Sequence, residues 1–158
     1  MAVVQLHDIV TEADKAAVLT LRRGPGQERY LGSMESHFED AVTDARACPR
    51  MWSVHDGDQL VGFVMISDGI TVDNPDYVGP YYVWRLLIDT KHQGLGYGTA
   101  ALHLVCEHVR TRPDARVLLV SHVVGPTSPV TFYQPYGFQL TGDVQDGEPI
   151  LALDLYST

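Results

Sequence analysis

The sequence predicts one mixed α/β domain over residues 1–158, of the α+β kind, and three observations carry that prediction. The chain has 158 residues, 45% apolar and 20% charged, which suits a single globular core. Strand-like and helix-like runs follow the order β α α β β β α β α β β, giving about seven strands and about four helices. Residues 81–124 read as two apolar strands around a helix, the pattern of a β-α-β core inside a mixed sheet.

Each element has its own signal. Residues 3–10 read as the first strand. Thr11 precedes "EADKAAVLTLR" with Asp14 three positions on, a capping-box pattern that opens a helix; "GPG" at 24–26 breaks it. A second helix over 33–47 places Met34, Phe38, Ala41, Val42 and Ala45 on one face, with Glu35, Glu39, Asp40 and Asp44 on or near the other. Residues 51–67 are two β-rich runs around Asp56-Gly57-Asp58, a hairpin signal. A polar loop covers 67–80. "YYVWRLLID" at 81–89 is apolar on both faces, as a central strand is. A helix follows the glycines, with Ala101, Leu102, Val105 and Val109 on its buried face. Residues 116–124 form another central strand. Ser128-Pro129 opens a short helix that Gly137 closes, and 138–156 is a terminal hairpin turning at Asp146-Gly147.

Composition removes several function classes. Net charge is −9 and no basic stripe is present, so a nucleic-acid partner is not expected. An acidic surface attracts cations and also keeps a protein in solution; both readings fit. No run approaches the roughly 18 apolar residues of a membrane span, and the start "MAVVQLHDIV" lacks a basic n-region. Cys48 and Cys106 stand in no redox or metal spacing, so no metal is expected and a reducing cytoplasmic setting is the default.

"HQGLGYGTA" at 92–100 is the stretch that points to chemistry. A Walker loop needs Lys-Ser/Thr after its last glycine, and none follows. A dinucleotide fingerprint needs its third glycine one residue later than Gly98, and an acid where 117–120 has none. What remains is Gln93-x-x-Gly96-x-Gly98 between a strand and a helix. That arrangement sets unsatisfied N–H groups at the positive end of a helix, suited to a pyrophosphate, with bare glycines at 94, 96 and 98 allowing close approach. A turn shaped only for tight helix–strand packing fits equally at this point.

Two blocks then resemble one family. "LLIDTKHQGLGYGTAALHLV" is similar to the acetyl-coenzyme A-binding motif of GCN5-related N-acetyltransferases, [Q/R]-x-x-G-x-[G/A]. "FYQPYGF" at 132–138 is similar to their F-Y-x-x-x-G-F segment, at the family's separation. The element order agrees from end to end. "EDA" at 39–41, "GDQLVGFVM" at 57–65 and "WRLLIDTKHQGLGYG" at 84–98 resemble the bacterial spermine/spermidine acetyltransferase members.

The resemblance implies the family's mixed sheet with a β-α-β acetyl-coenzyme A core, and an acyltransferase that moves acetyl directly to a primary amine, a polyamine first. Another small amine (aminoglycoside-like, or an amino-acid derivative), a protein N-terminus, or a non-catalytic acyl-coenzyme A sensor are the alternatives. It implies that backbone groups of Leu86, Leu87 and Ile88 pair with the pantetheine arm, with an N–H near Leu87 on the thioester carbonyl. Gln93 opens the pyrophosphate motif, and N–H groups of Gly94, Leu95, Gly96, Tyr97, Gly98 and Thr99 hold the pyrophosphate. Tyr133 is the general acid for the leaving thiolate. A homodimer is compatible with the family.

The acceptor side is less defined. Glu35, His122 and Asp89 are candidates for the base that deprotonates the amine; His122 in a strand and Asp89 at a turn also read as structural. Trp84 suits an ammonium by cation–π contact. Asp68, Asp73, Asp76, Glu28 and Glu35 read either as an acidic funnel or as solvated loop acids. Departures from the family pattern are Pro126 in place of an asparagine, Pro129 in place of an alanine, and Trp84-Arg85 where human-type spermidine acetyltransferases carry adjacent acids. Arg85 fits an internal ion pair.

Overall fold

A computed structural model describes residues 3–24, 34–71, 73, 75–122, 124 and 130–156. Seven strands form one sheet: β1 (Gln5–Asp8), β2 (Pro49–Asp56), β3 (Gln59–Asp68), β4 (Tyr81–Ile88), β5 (Val117–Ser121), β6 (Gln139–Gln145) and β7 (Glu148–Asp154). Their spatial order is β1-β2-β3-β4-β5-β7-β6. Every neighbouring pair is antiparallel except β4 and β5. Four α-helices accompany the sheet: α1 (Glu12–Val18), α2 (Met34–Thr43), α3 (Tyr97–Arg110) and α4 (Val130–Tyr136). The fold class and the β4-α3-β5 centre are as the sequence predicts.

Local chemistry explains the boundaries. At α1, Thr11 Oγ1 accepts from the Asp14 N–H at 3.1 Å while Asp14 Oδ2 accepts from the Thr11 N–H at 2.9 Å, a complete capping box. Gly57 (φ 61) turns β2 into β3. Asp146 (φ 50) and Gly147 (φ 81) turn β6 into β7 through two left-handed residues. Gly137 ends α4, its N–H returning to the Tyr133 and Gln134 carbonyls. Ser128 and Pro129, assigned from sequence to the start of that helix, lie outside the described residues.

Both faces of the sheet are covered. The larger core lies under α3 and α4 and joins Val64, Ile66 and Val83 to Ala101, Leu102, Val105, Val109 and Phe138. The smaller lies under α1 and α2 and joins Val18, Leu21 and Met34 to Phe63, Met65 and Leu87. Two-sided burial is why β3 and β4 read as nearly unbroken apolar runs.

The rotation of α2 differs from the sequence expectation. Met34 and His37 are buried, Phe38 and Ala41 pack partly against the smaller core, and Val42 is 81% exposed. Positions 34, 37, 38 and 41 make a true 3.6-residue stripe, so Val42 falls outside it. The helix ends at Thr43, and Ala45 belongs to a separate 3-10 turn, Ala45–Ala47. A polarity pattern hides the stripe because its second position is a histidine.

Candidate active site

The centre of the sheet comes apart at one place. Along β4 and β5 only Tyr82↔Leu119 and Val83↔Val120 pair; among the described residues nothing on β5 pairs with 84–88. A bulge starts the divergence. Val83 and Arg85 oppose the consecutive residues Ile66 and Met65 of β3, so Trp84 is the extra residue of β4. Beyond it the strand stays paired with β3 alone.

Strand alternation decides which backbone groups face the gap. The Asp89 N–H donates to the Val61 carbonyl at 2.8 Å, on the β3 side. Leu87, two residues back, also faces β3. Leu86 and Ile88 therefore turn their N–H and C=O groups toward the gap, and the Ile88 carbonyl accepts from Gln93 Nε2 at 2.9 Å. The N–H groups presented to the gap near Leu87 are therefore those of Leu86 and Ile88.

The glycine turn follows immediately. Gly94 (φ 79) and Gly96 (φ 89) are left-handed, and a Cβ on either would meet nothing within 4 Å. Glycine is needed there for the backbone conformation, and the space outside is open. Gly98 differs, because a Cβ there would stand at an ordinary 3.5 Å from the Phe132 ring. Gly96 is the N-cap of α3 and offers no side chain, and the first intrahelical bond is Ala100 N–H to Gly96 O at 3.1 Å. The N–H groups of Tyr97, Gly98 and Thr99 thus form the uncapped positive end of a 14-residue helix. Leu95 and Thr99 are exposed, whereas the Tyr97 side chain is buried and its hydroxyl donates to Asp56 Oδ2 at 2.5 Å. That bond pins the first turn of α3 to the β2–β3 hairpin and raises the phenol pKa, because the carboxylate holds the proton in place.

Tyr133 completes this side. It is 6% exposed, edge-on to both Phe132 and Phe138, and joins the core that Leu86 and Ile88 partly cover. Burial, followed by the neighbouring Tyr82, pushes its pKa above the ordinary tyrosine value, so the phenol keeps its proton. Tyr82 belongs to a small chain that sequence reading missed. Ser121 Oγ donates to Glu148 Oε1 at 3.0 Å, so its one hydroxyl proton is used and Tyr82 O–H is the donor to Ser121 Oγ at 2.7 Å. His122 is buried at the end of β5, where its N–H reaches the Pro149 carbonyl. Pro126 lies outside the described residues.

The opposite face of β4 carries side chains instead. A cavity of about 120 Å³ opens between the end of α1 and the start of α2. Leu19, Leu21, Met34 and Leu87 are its apolar walls, and Arg22, Arg23 and Glu35 its charges. Of the acids considered from sequence, Glu35 alone among the described residues lines it. Asp68 belongs to β3 and is paired with Arg50, His108 and Arg112, so it is no funnel acid. Asp73 and Asp76 are exposed, and Glu28 lies outside the described residues. Asp89 is buried and ties the segment after α1 to the end of β4, its Oδ1 accepting from the Arg22 main-chain N–H at 2.7 Å.

Arg85 makes the internal ion pair expected of it. Its Nη2 lies 3.3 Å from Asp40 Oδ2, its Nη1 donates to the Trp84 carbonyl at 2.8 Å, and its Nε donates to His37 Nδ1 at 3.2 Å. Its guanidinium also lies 5.6 Å from the Trp84 ring centroid, so one face of that ring already has a cation. His37 is fully buried, and burial, then the Arg85 and Arg23 charges, hold its pKa down to about 4. A guanidinium can only donate, so neutral His37 carries its proton on Nε2, which has no hydrogen-bond partner among the described residues. No group of three or more His, Cys, Asp or Glu residues in metal-binding arrangement occurs among the described residues. No helix among them is long and apolar enough to cross a membrane.

Comparison with known proteins agrees with this layout. The Acetyltransferase (GNAT) family model matches residues 15–138. A spermine/spermidine N(1)-acetyltransferase of Bacillus subtilis (strain 168) is 27% identical over 147 residues, 92% of this chain and 95% of the relative. An aminoglycoside 6'-N-acetyltransferase complexed with coenzyme A superposes with a TM-score of 0.68 at 15% identity, covering 99% of this chain and 98% of that one. A ribosomal-protein-S18-alanine N-acetyltransferase from Escherichia coli does so with 0.64 at 13% identity, covering 99% and 96%. The two structures share the fold.

Proposed function

The chain belongs to the GNAT acetyltransferase family, and from that premise we propose that it transfers acetyl from acetyl-coenzyme A directly to a primary amine. One observation carries this reading: β4 leaves β5 at Trp84, so an open backbone edge leads straight to the uncapped N-terminus of α3. An extended amide-bearing arm fits the edge at Leu86 and Ile88, as an added strand does. A pyrophosphate fits the turn, where Gly94 and Gly96 leave open space and Tyr97, Gly98 and Thr99 offer N–H donors.

Acetyl-coenzyme A supplies the activated acyl carbon: the amine nitrogen forms the new C–N bond and the C–S bond breaks with its electron pair on sulfur. Tyr133 is the proposed donor of the proton that this sulfur takes up, a reading its burial and retained O–H support. The amine loses one proton. Glu35 lines the acceptor cavity and is the candidate on that side to receive it. His122 sits among buried groups near β7, a position that supports a structural role.

A polyamine is the acceptor that the relative at 27% identity suggests, and the net charge of −9 is compatible with a cationic acceptor. A thiol-release assay over an amine panel tests the reading. Amine-dependent release of coenzyme A is expected. Tight acetyl-coenzyme A binding without release for any amine would leave a sensor in place of an enzyme.

A further inference from the structure

The acceptor cavity has the wrong charge for a polycation. Two arginines, Arg22 and Arg23, line it, and among the described residues Glu35 is the one acid that does. The intervening residues 25–33 add one acid, Glu28, and one base, Arg29, so the sequence from 19 to 35 keeps the same excess of one positive charge. The rest of the chain is strongly acidic, and the excess is local.

Arg22 is also fixed in place. Its main-chain N–H is held by Asp89 Oδ1 at 2.7 Å and its carbonyl by the Thr90 N–H at 2.9 Å. Its Nη1 donates to the carbonyls of Leu19 (3.1 Å) and Leu21 (3.2 Å), leaving the rest of the planar fork for another acceptor. A guanidinium anchored on backbone carbonyls, and not on a carboxylate, retains its full charge for a ligand. His37 follows Met34 by one turn on the same buried face of α2, and stacks on Phe63, the register partner of Leu87. Met34 and Leu87 both line the cavity. Among the described residues the fully buried Nε2–H of His37 has no hydrogen-bond partner, which is costly unless something polar reaches it.

We infer that the acceptor amine also carries an anionic group, a carboxylate or a phosphate, held by Arg22, with its ammonium on the side of Glu35. The inference rests on the acetyltransferase reading and narrows its substrate class. A polyamine, cationic along its whole length, brings nothing for Arg22 to hold.

Matched amine pairs test it by thiol release: ornithine against putrescine, lysine against cadaverine, phosphoethanolamine against ethanolamine. The anionic member of at least one pair is expected to show kcat/KM about tenfold higher or more. The first two pairs report on a carboxylate and the third on a phosphate. Arg22→Gln should bring that ratio toward one, and Arg22→Lys should leave part of it. If Arg22→Gln fails to fold, Glu35→Gln gives a second reading: it should lower kcat/KM for both members of a pair and keep their ratio. A preference for the decarboxylated amines, or for spermine and spermidine, in the intact protein overturns the inference. Silence across every amine overturns the acetyltransferase reading instead, so the two failures are distinguishable.

Discussion

The two faces of β4 are built from different materials. On the α3 side the candidate site is backbone: the edge at Leu86 and Ile88, two left-handed glycines, and three helix N–H groups. On the α1–α2 side it is side chains: Arg22, Arg23 and Glu35 over an apolar floor. Backbone donors suit a ligand part that never varies, since no substitution retunes them. Side chains suit the part that differs between relatives. The face built of backbone should therefore respond to glycine changes, and the other to charge changes, with Tyr133 between them.

The largest effect is expected at that junction. Tyr133→Phe keeps the ring contacts with Phe132 and Phe138 and removes only the hydroxyl. Turnover should fall about 10²- to 10⁴-fold with acetyl-coenzyme A affinity nearly unchanged, read by steady-state kinetics beside calorimetry. A loss of affinity without loss of kcat would move Tyr133 out of the chemistry and onto the backbone-built side.

Next comes a pH effect confined to the side-chain face. His37 has a folded pKa near 4 against an ordinary 6.5, so the unfolded chain takes up the proton first. Its stabilising contribution is complete above about pH 6.5 and is lost as pH falls through 4, on the order of 3 kcal/mol in all. Chemical denaturation at pH 7 and pH 5 should show the slope, and His37→Gln should flatten it. An unchanged slope in that variant would mean that His37 is not the group being charged.

Smaller effects separate the glycines. Gly96→Ala forces a Cβ into a left-handed residue, costing about 1–2 kcal/mol, and should weaken acetyl-coenzyme A binding about tenfold. Gly98→Ala should be the mildest change. Its Cβ meets Phe132 at an ordinary distance in a helix that favours alanine, so stability should stay within about 1 kcal/mol of the parent and affinity should drop less than in Gly96→Ala. Equal losses at both positions would show that it is approach to the helix end, and not backbone strain, that requires glycine.

The same contrast explains what could be read in advance. The order of elements along the chain, the β-α-β centre and the glycine turn follow from residue type and spacing, because glycine and apolar runs act through the backbone wherever they occur. The rotation of α2 does not. Its buried stripe runs through His37, a residue a polarity pattern assigns to solvent; only its hydrogen bond from Arg85 and its stacking on Phe63 make it an interior group. Arg22 was legible only as one of two arginines before a glycine break. Its role depends on Asp89 and Thr90, 67 and 68 residues away in the chain, holding its backbone. The partner of Tyr82 was hidden for the same reason, since Ser121 and Glu148 meet it only through the sheet.

Direct transfer across β4 is tested most simply by a single turnover. Protein loaded with one equivalent of acetyl-coenzyme A is mixed with amine and quenched, and free thiol and acetylated amine are counted together. Equal amounts of both, with no thiol released until amine is added, is the expected result. A burst of thiol before amine, with the acetyl group left on the protein, would contradict it.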